Sequence, residues 1–354
     1  MISEKAPGKL FIAGEYAVLD NKCPAVIVGL DQYVYVSIEE ATDGLISSKQ
    51  YPDQLVSWTH QQGKIVASEN NFAYVLTAMS FAEQYALTKG KSLKTYHLSI
   101  DSDLDSQDGK KFGLGSSAAI TVATVKAVLH FYDLKLDEAT VYKIATLSHY
   151  TVQGSGSCGD IAASVYGGWI AYQTFKKKWL LKMIKHGHLI DLVDRDWPGL
   201  HIKRLTPPED LQLLIGWSQI PASTSDLLKE TKRHSKSLTW MFYKASRRCV
   251  LKMIRGFETH NIELIKKQIR INRHLLHWYA KLNNIQIEIA PLTRLIKIGE
   301  KYSGAAKTSG AGNGDCGIVI LDKKKEDAQE VYQEWQKNGI LPLDFKVKQD
   351  SLEK

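Results

Sequence analysis

Hydrophobic and polar positions near the start of the chain change their period several times. Residues 8–19, GKLFIAGEYAVL, and 31–40, DQYVYVSIEE, are rich in β-branched and aromatic residues, so they predict two strands, the first interrupted by Gly14. Residues 70–90 show helical character that stops at a glycine. The run TYHLSI at 95–100 predicts a further strand. This part of the chain therefore alternates strands and helices.

The middle of the chain continues the alternation. A polar turn with two glycines leads into the run AAITVATVKAVLHF, which predicts a buried helix. Asp137 is expected to cap a second helix at 138–152, which ends in the loop GSGSCGD at 154–160. A short helix and a strand are predicted within 160–173, and a lysine-rich turn at 175–178.

The order of elements changes beyond Pro207 and Pro208, which predicts a boundary between a domain at 1–208 and a domain at 209–354. The second domain is predicted to contain a strand at 211–218, two basic helices between 237 and 282, a helix at 291–304, a strand at 316–322, a helix at 325–339 and a strand at 343–348. Strands that return to one sheet among helices predict an α+β fold, similar to a ferredoxin-like arrangement with helical additions.

Composition is that of an ordinary globular protein. With 354 residues, of which 44% are hydrophobic, the chain can bury a large core and is long enough for two domains. Its net charge of +8 suits an anionic partner, either nucleic acid or a small phosphorylated substrate. Many of the basic residues lie on the two helices between 237 and 282, where solvated faces are favoured because no nucleic-acid motif accompanies them. We therefore expect no nucleic-acid partner.

The four cysteines, Cys23, Cys158, Cys249 and Cys316, are scattered without CxxC pairing, which predicts neither a disulfide framework nor a cysteine zinc site. The first residues, MISEKAPGKL, lack the apolar run of a signal peptide, and no stretch is long enough to cross a bilayer. We therefore expect a cytoplasmic protein without a membrane partner.

The turn before the buried helix predicts a phosphate-binding loop. Gly113 and Gly115 allow the backbone to approach a ligand, and the helix start offers unpaired N–H groups and the positive end of its dipole. Ser116 and Ser117 add hydroxyls where a phosphate oxygen or its magnesium ion would lie, and Ala118 keeps the helix start narrow. The loop also satisfies the dinucleotide pattern GxGxxA, but the residues before it are polar rather than a hydrophobic strand. A simple helix cap is a further alternative.

Two other segments combine glycine with polar residues, APGKLFIAGEY at 6–16 and KTSGAGNGDCG at 307–317, and the three loops could meet around one ligand. In order and spacing they resemble the three signatures of the GHMP small-molecule kinases, so the resemblance covers nearly the whole chain. Within this family the chain is most similar to bacterial phosphomevalonate kinases, because the third segment ends in GDC and Tyr16 stands where mevalonate kinases usually have histidine. Asn313 departs from a common glycine, although asparagine tolerates the left-handed conformation.

The resemblance implies a two-domain GHMP kinase fold, with an N-terminal domain like the second domain of ribosomal protein S5, a ferredoxin-like C-terminal domain and the site between them. It implies transfer of the γ-phosphoryl group of ATP, with Mg²⁺, to the small-molecule partner 5-phosphomevalonate. Mevalonate kinase and diphosphomevalonate decarboxylase are the nearest alternatives, and a non-catalytic GHMP-fold sensor of a small molecule is an alternative of another class. The sequence leaves the oligomeric state open.

The resemblance also assigns roles to residues. Lys9 and Asp160 match catalytic positions, with Lys9 as the cation at the transferring phosphoryl group. The residues that match the ATP-binding loop are Lys111, Gly113, Leu114, Gly115, Ser116, Ser117 and Ala118, with Ser116 nearest to magnesium. Those that match substrate contacts are Tyr16, Ser157, Ser223, Ser309 and Ala311. From the residues alone, Lys9 is also compatible with a solvated lysine and Asp160 with a plain helix N-cap.

Overall fold

The computed structural model describes residues 1–105, 110–185, 189–222 and 236–347. Its first part is built on an eight-stranded sheet, whose described strands are β1 Ile2–Ala13, β2 Ala25–Glu40, β3 Gly44–Ser48, β4 Val56–Gln61, β5 Lys64–Ala67, β6 Tyr96–Ser102, β7 Trp169–Gln173 and β8 His201–Leu205. The helices of this part are α1 Ala73–Thr88, α2 Ser116–Phe131, α3 Glu138–Gln153, α4 Gly159–Tyr166 and α5 Lys177–Lys185, with short 3-10 turns at Ala17–Leu19 and Leu189–Leu192.

Strand β2 organises this sheet. It pairs antiparallel with β1, β6 and β7, and β1 follows it from Ile2 opposite Ile38 to Ala13 opposite Val26. The register with β1 shifts between Pro7 and Lys9, a local irregularity of the kind that re-aims a strand. This irregularity places Lys9 next to the loop that precedes α2.

Helix α2 is the buried helix that the run of small and apolar residues predicts. Its side chains at Ala118, Val122, Val125 and Val128 are fully buried, and the helix packs against β1, α1 and α3. Small side chains at its start allow the loop and the helix to approach β1 closely. The first turn of α2 therefore lies against the irregular part of β1.

The second part of the chain is a four-stranded antiparallel sheet with helices. Its described elements are β9 Leu211–Trp217, α6 Lys236–Glu258, α7 Ile262–Asn283, α8 Ala290–Lys301, β10 Ala305–Thr308, β11 Cys316–Asp322, α9 Ala328–Lys337 and β12 Leu341–Leu343. The strand order is β10, β11, β9, β12, in which the first and last strands of this part are neighbours, as in a ferredoxin-like sheet. The predicted α+β class is confirmed.

The predicted lysine-rich turn at 175–178 is wrong. Helix α5 already begins at Lys177, because Leu180 is buried in the core while Lys178 remains exposed, so the segment is amphipathic. Strands β3, β4, β5 and β8 have no counterpart in the prediction either; all four are short, and β5 and β8 lie at the edges of the sheet.

The predicted last strand at 343–348 is also misplaced. Strand β12 ends at Leu343, which pairs with Ile215 of β9. Beyond it the chain leaves this sheet, and Val347 forms an isolated bridge with Leu30 of β2. The apolar alternation that predicts a strand here instead reflects packing of the tail against the first sheet.

The two sheets share a hydrophobic core. Ile215 and Trp217 of β9 and Ile318 of β11 belong to the same buried cluster as the residues of β1, β2 and α2. The change of sheet falls between Leu205 and Leu211, while the division of the chain at residue 208 into domains stays a prediction. Among the described residues, no helix is both long enough and apolar enough to cross a membrane.

Candidate active site

The loop before α2 forms a cradle at the start of that helix. Gly113 and Gly115 have φ values of +79° and +77°, in the left-handed region where glycine is favoured. Gly115 is the N-cap and supplies no side-chain acceptor, and within the described part of the chain the N–H groups of Ser116 and Ser117 have no hydrogen-bond partner. Free N–H groups and the positive end of the helix dipole make this a place for an anion.

Lys9 lies directly against this loop. Its N–H donates to the Leu114 carbonyl at 2.8 Å, and its Nζ lies 3.4 Å from the Gly113 carbonyl oxygen. A β-carbon added to Gly115 would lie 2.8 Å from Cε of Lys9, so the missing side chain makes room for the lysine. Burial lowers the pKa of Lys9, and the charges of Asp160 and Asp315 oppose that shift. Lys9 is therefore not the solvated lysine of the alternative interpretation.

Asp160 occupies the first turn of α4 and faces the same space. Helix α4 begins at Gly159 with Cys158 as its N-cap, so Asp160 is not the N-cap, although its Oδ1 accepts the Ile161 N–H at 3.0 Å. The charge of Asp160 raises the pKa of Lys9, which indicates that the two side chains are close. The first and second glycine segments and the catalytic pair suggested by the sequence therefore converge.

The loop that leads to Asp160 is fixed by hydrogen bonds to its backbone. The Ser157 carbonyl accepts hydrogen bonds from the hydroxyls of Tyr172 and Thr174, the latter at 2.9 Å, and the Tyr172 hydroxyl is also 2.9 Å from that of Tyr142. Buried, fully bonded hydroxyls of this kind fix a backbone segment. The loop 154–159 is thus positioned by β7 and α3.

The third glycine segment closes the other side of the site. The Cys316 thiol donates to the Phe112 carbonyl at 3.2 Å, and a β-carbon at Gly113 would lie 2.2 Å from Cγ of Asp315. The sequence analysis assigns no role to Asp315. The GDC ending of the third segment, which contains this residue, is the sequence feature that could have indicated one. All three glycine segments therefore meet beside Lys9, and the prediction that they surround one ligand stays a prediction.

The predicted substrate contacts have different surroundings. The Tyr16 hydroxyl donates to the Ala311 carbonyl at 2.6 Å, and the Ser309 hydroxyl donates to the Phe11 carbonyl at 2.9 Å. These hydrogen bonds join the first segment to the third, so both hydroxyls already have protein partners. The Ser157 hydroxyl accepts the Gly159 N–H at 3.3 Å. Ser223 lies outside the described residues, and the substrate role of all five residues stays a prediction.

Two neighbours of the site are not evident from the sequence. His149 of α3 is buried, and its Nε2 lies 3.3 Å from the Ser117 hydroxyl, while its ring stacks on Tyr74. Burial lowers the pKa of His149, so a neutral imidazole is favoured beside the loop. Lys177 is partly buried near Cys158, and burial lowers its pKa as well.

Lys111, in contrast, is exposed, and its backbone forms an isolated antiparallel β-bridge with that of Asp105 just before the loop. Burial raises the pKa of Asp105, and the charge of Lys111 opposes that shift. The lysine therefore lies beside the predicted phosphate loop, and its role in ATP binding stays a prediction.

The residues at the loop are suited to hold a metal ion that is bound together with a nucleotide. Among the described residues, no group of three or more His, Cys, Asp or Glu side chains could hold a metal by itself. Magnesium bound to nucleotide phosphates keeps several waters and needs only one or two protein oxygens. The Ser116 hydroxyl, on the first residue of α2 next to the cradle, is an oxygen donor of that kind.

Comparison with known protein families gives two matches. The family described as "GHMP kinases N terminal domain" matches residues 73–168, and the family described as "GHMP kinases C terminal" matches residues 253–341. Among curated proteins, the chain is 35% identical to a phosphomevalonate kinase of Streptomyces sp. (strain CL190), over 97% of this chain and 96% of that one. It is 24% identical to a mevalonate kinase of Thermococcus sibiricus, over 98% and 96% of the two chains.

Two solved structures are similar to this chain over nearly its whole length. The Lin0012 protein of Listeria innocua superposes with a TM-score of 0.93 at 33% identity and covers 98% of both chains. The Streptococcus pneumoniae phosphomevalonate kinase in complex with phosphomevalonate and AMPPNP superposes with a TM-score of 0.85 at 26% identity, over 98% of this chain and 100% of that one.

Proposed function

Because this chain belongs to the GHMP kinase family, we propose that it is a phosphomevalonate kinase, which transfers the γ-phosphoryl group of ATP to 5-phosphomevalonate and gives 5-diphosphomevalonate and ADP. The observation that carries the choice of substrate is the 35% identity to a phosphomevalonate kinase over 97% of this chain. The arrangement of Lys9, Asp160 and the α2 loop supports the phosphoryl transfer itself.

The donor phosphates are assigned to the cradle at the start of α2. Gly113 and Gly115 let the backbone approach the phosphates, and the N–H groups of Ser116 and Ser117 would donate to their oxygens. Ser116 would also hold the magnesium ion, which neutralises phosphate charge when it is bound. Lys9, above Gly115, would stabilise negative charge on the phosphoryl group during transfer.

The acceptor is assigned to the side formed by α4 and the loop 154–159. A phosphate monoester has a second pKa of about 6, so near neutral pH it is mostly a dianion that can attack without a strong base. The main difficulty is repulsion between two anionic substrates, which fixed cations must relieve. Among the described residues, Lys9 and the partly buried Lys177 are two cations that would serve here, and Asp160 would orient Lys9 and the acceptor rather than remove a proton.

The alternatives are weaker on specific grounds. Mevalonate kinases are also relatives, but that of Thermococcus sibiricus is 24% identical to this chain, against 35% for the Streptomyces phosphomevalonate kinase. A sensor without catalysis would not need Lys9 and Asp160 together, and this chain keeps both beside the cradle. The kinase with a phosphate acceptor is therefore the function that fits best.

The test is a comparison of acceptors. Purified protein with ATP and magnesium is offered mevalonate, 5-phosphomevalonate and 5-diphosphomevalonate separately, and ADP release is followed. We expect turnover with 5-phosphomevalonate well above that with the other two. If 5-phosphomevalonate gives no more turnover than mevalonate, the assigned substrate is wrong. If no acceptor gives turnover while ATP binds, the sensor alternative is favoured.

A further inference from the structure

The Asp315 backbone is held in a conformation that few side chains adopt. Its φ is +52°, its N–H donates to the Ile220 carbonyl at 2.7 Å, and its carbonyl accepts the Ser218 N–H at 2.9 Å. Such a conformation costs energy and persists only where the surroundings enforce it. Here the enforcing contacts come from the segment 218–222, which follows β9.

The Asp315 carboxylate bridges two parts of the site. One oxygen, Oδ1, accepts the Ala222 N–H at 3.1 Å. The other, Oδ2, lies 2.3 Å from the point that a β-carbon on Gly113 would occupy, so only a glycine at that position admits it. The side chain therefore connects the segment 218–222 with the phosphate loop. Ala222 immediately precedes Ser223, the substrate contact suggested by the sequence.

The same carboxylate and the Lys9 amine both lie against Gly113, since Nζ of Lys9 is 3.4 Å from the Gly113 carbonyl oxygen and Oδ2 of Asp315 is 2.3 Å from the position of a Gly113 β-carbon. The groups whose charges act on Lys9 are Asp160 on α4, Asp315 before β11 and Cys316 on β11. Burial lowers the pKa of Lys9, and each of these three groups raises it. For Asp315, burial raises the pKa, while the Ala222 N–H and Lys9 favour the ionised form. The charges of two carboxylates from different elements therefore both favour the ammonium form of Lys9.

We propose that Asp315 is a positioning residue with two tasks, to fasten the segment 218–222 to the phosphate loop and to hold Lys9, with Asp160, as a correctly placed ammonium. The kinetic consequences rest on the proposed function, but the first task does not. An uncharged side chain with the same shape can perform the first task, because an asparagine oxygen still accepts the Ala222 N–H. Only a carboxylate can perform the second.

The first task is tested without substrate. Backbone hydrogen–deuterium exchange of a peptide that covers 218–222 is measured in the unliganded wild-type protein and in the variants Asp315→Ala and Asp315→Asn. We expect faster exchange in Asp315→Ala, because the Ala222 N–H loses its acceptor, and wild-type exchange in Asp315→Asn. This result stands whether or not 5-phosphomevalonate is the acceptor, so its failure is distinct from a failure of the proposed function.

The second task is tested by kinetics. In Asp315→Asn we expect kcat to fall by about 10- to 100-fold with the KM of the acceptor nearly unchanged, since a misplaced catalytic group costs about that much. The alkaline limb of kcat/KM should also move to lower pH, because one of the charges that raise the pKa of Lys9 is lost. In Asp315→Ala the KM of the acceptor should rise as well.

Asp322→Asn is the matched control, since Asp322 is a buried aspartate at the other end of β11 and contacts Lys324 and Lys325 rather than the site. It should leave the exchange of 218–222 and the kinetics unchanged. Wild-type exchange in Asp315→Ala would overturn the first task. A wild-type kcat and alkaline limb in Asp315→Asn would overturn the second, and equal kinetic losses in Asp322→Asn would show that the effects of Asp315→Asn come from general destabilisation.

Discussion

Glu15 of the first glycine segment and Lys307 of β10 form an ion pair that is almost completely removed from water. Their side chains are 3% and 0% exposed, and Lys307 also donates to the Thr308 carbonyl. The Asn272 amide of α7 donates to the second Glu15 oxygen at 3.1 Å and accepts the Gly14 N–H. The pair therefore joins the first glycine segment to the first residue of the third, which lies on β10 of the four-stranded sheet.

Removing one partner of this pair should destabilise the protein strongly. We expect Lys307→Met to lower the free energy of unfolding by about 3–5 kcal/mol, because it leaves the Glu15 charge buried and unpaired. Urea unfolding followed by circular dichroism measures the change. The double variant Glu15→Gln/Lys307→Met should recover part of the loss, whereas Lys301→Met, which removes an exposed ion pair with Glu334, should have little effect. Equal effects of Lys307→Met and Lys301→Met would contradict this interpretation.

A side chain at Gly115 should weaken nucleotide binding while the fold persists. We expect Gly115→Ala to lower ATP affinity by about tenfold or more, because the β-carbon would lie 2.8 Å from Cε of Lys9 and would narrow the cradle. Calorimetric titration with a non-hydrolysable ATP analogue and magnesium measures this. Gly90→Ala is the matched control, since Gly90 has a similar φ of +79° but open space around it. A loss of affinity in both variants would point to backbone strain instead of the cradle.

Replacing Ser116 should change the magnesium requirement. We expect Ser116→Ala to need a higher magnesium concentration for half-maximal activity, because the variant loses the one protein oxygen that we assign to the metal. Activity is followed as magnesium is varied at constant ATP. Ser117→Ala provides the comparison, since its hydroxyl lies near His149 and should not alter the metal dependence. An unchanged requirement in Ser116→Ala would remove Ser116 from the metal shell.

Lys9 should matter more for turnover than Asp160. The acceptor is already a dianion, so a base adds little, whereas the cation at the transferring group is needed throughout the reaction. We expect Lys9→Ala to lower kcat more than Asp160→Asn does, at saturating ATP and magnesium and from about pH 6 to 9, a range that spans the acceptor's pKa of about 6. If Asp160→Asn is the more damaging and its loss is greatest at the acid end, Asp160 acts as a base and this division of roles is wrong.

On the alkaline side, activity should begin to fall at a lower pH than it would if Lys9 had an ordinary lysine pKa. Burial lowers the pKa of Lys9, so the free enzyme loses the ammonium as pH rises through a value below the usual lysine pKa of about 10.4. The profile of kcat/KM against pH reports this group, because it reflects the free enzyme. Lys9→Arg, if it retains measurable turnover, should lack this limb because its guanidinium stays charged. A wild-type limb at or above the usual lysine value would contradict the prediction.

Much of the fold follows from local sequence patterns. The buried helix α2, the helix α3 capped by Asp137 and the long amphipathic helices α6 and α7 are predictable, because their side-chain periodicity and caps act within a few residues. The cradle at Gly113–Ala118 is predictable for the same reason, since glycines and a following helix start are enough to specify it. The three glycine segments also supply the family, and through it the roles expected of Lys9 and Asp160.

The tertiary structure decides what depends on contacts between distant residues. The sequence gives no reason to pair Glu15 with Lys307, or to place Asp315 against Gly113, because the chain between them is long and nothing local encodes which buried charge meets which. The misplaced last strand has the same cause, since the apolar residues that follow Leu343 pack against the first sheet rather than the second. Local pattern thus determines which loop has the shape expected of a phosphate site, whereas packing of the two sheets determines which charges lie near Lys9, because burial and electrostatic pairing arise only when distant segments come together.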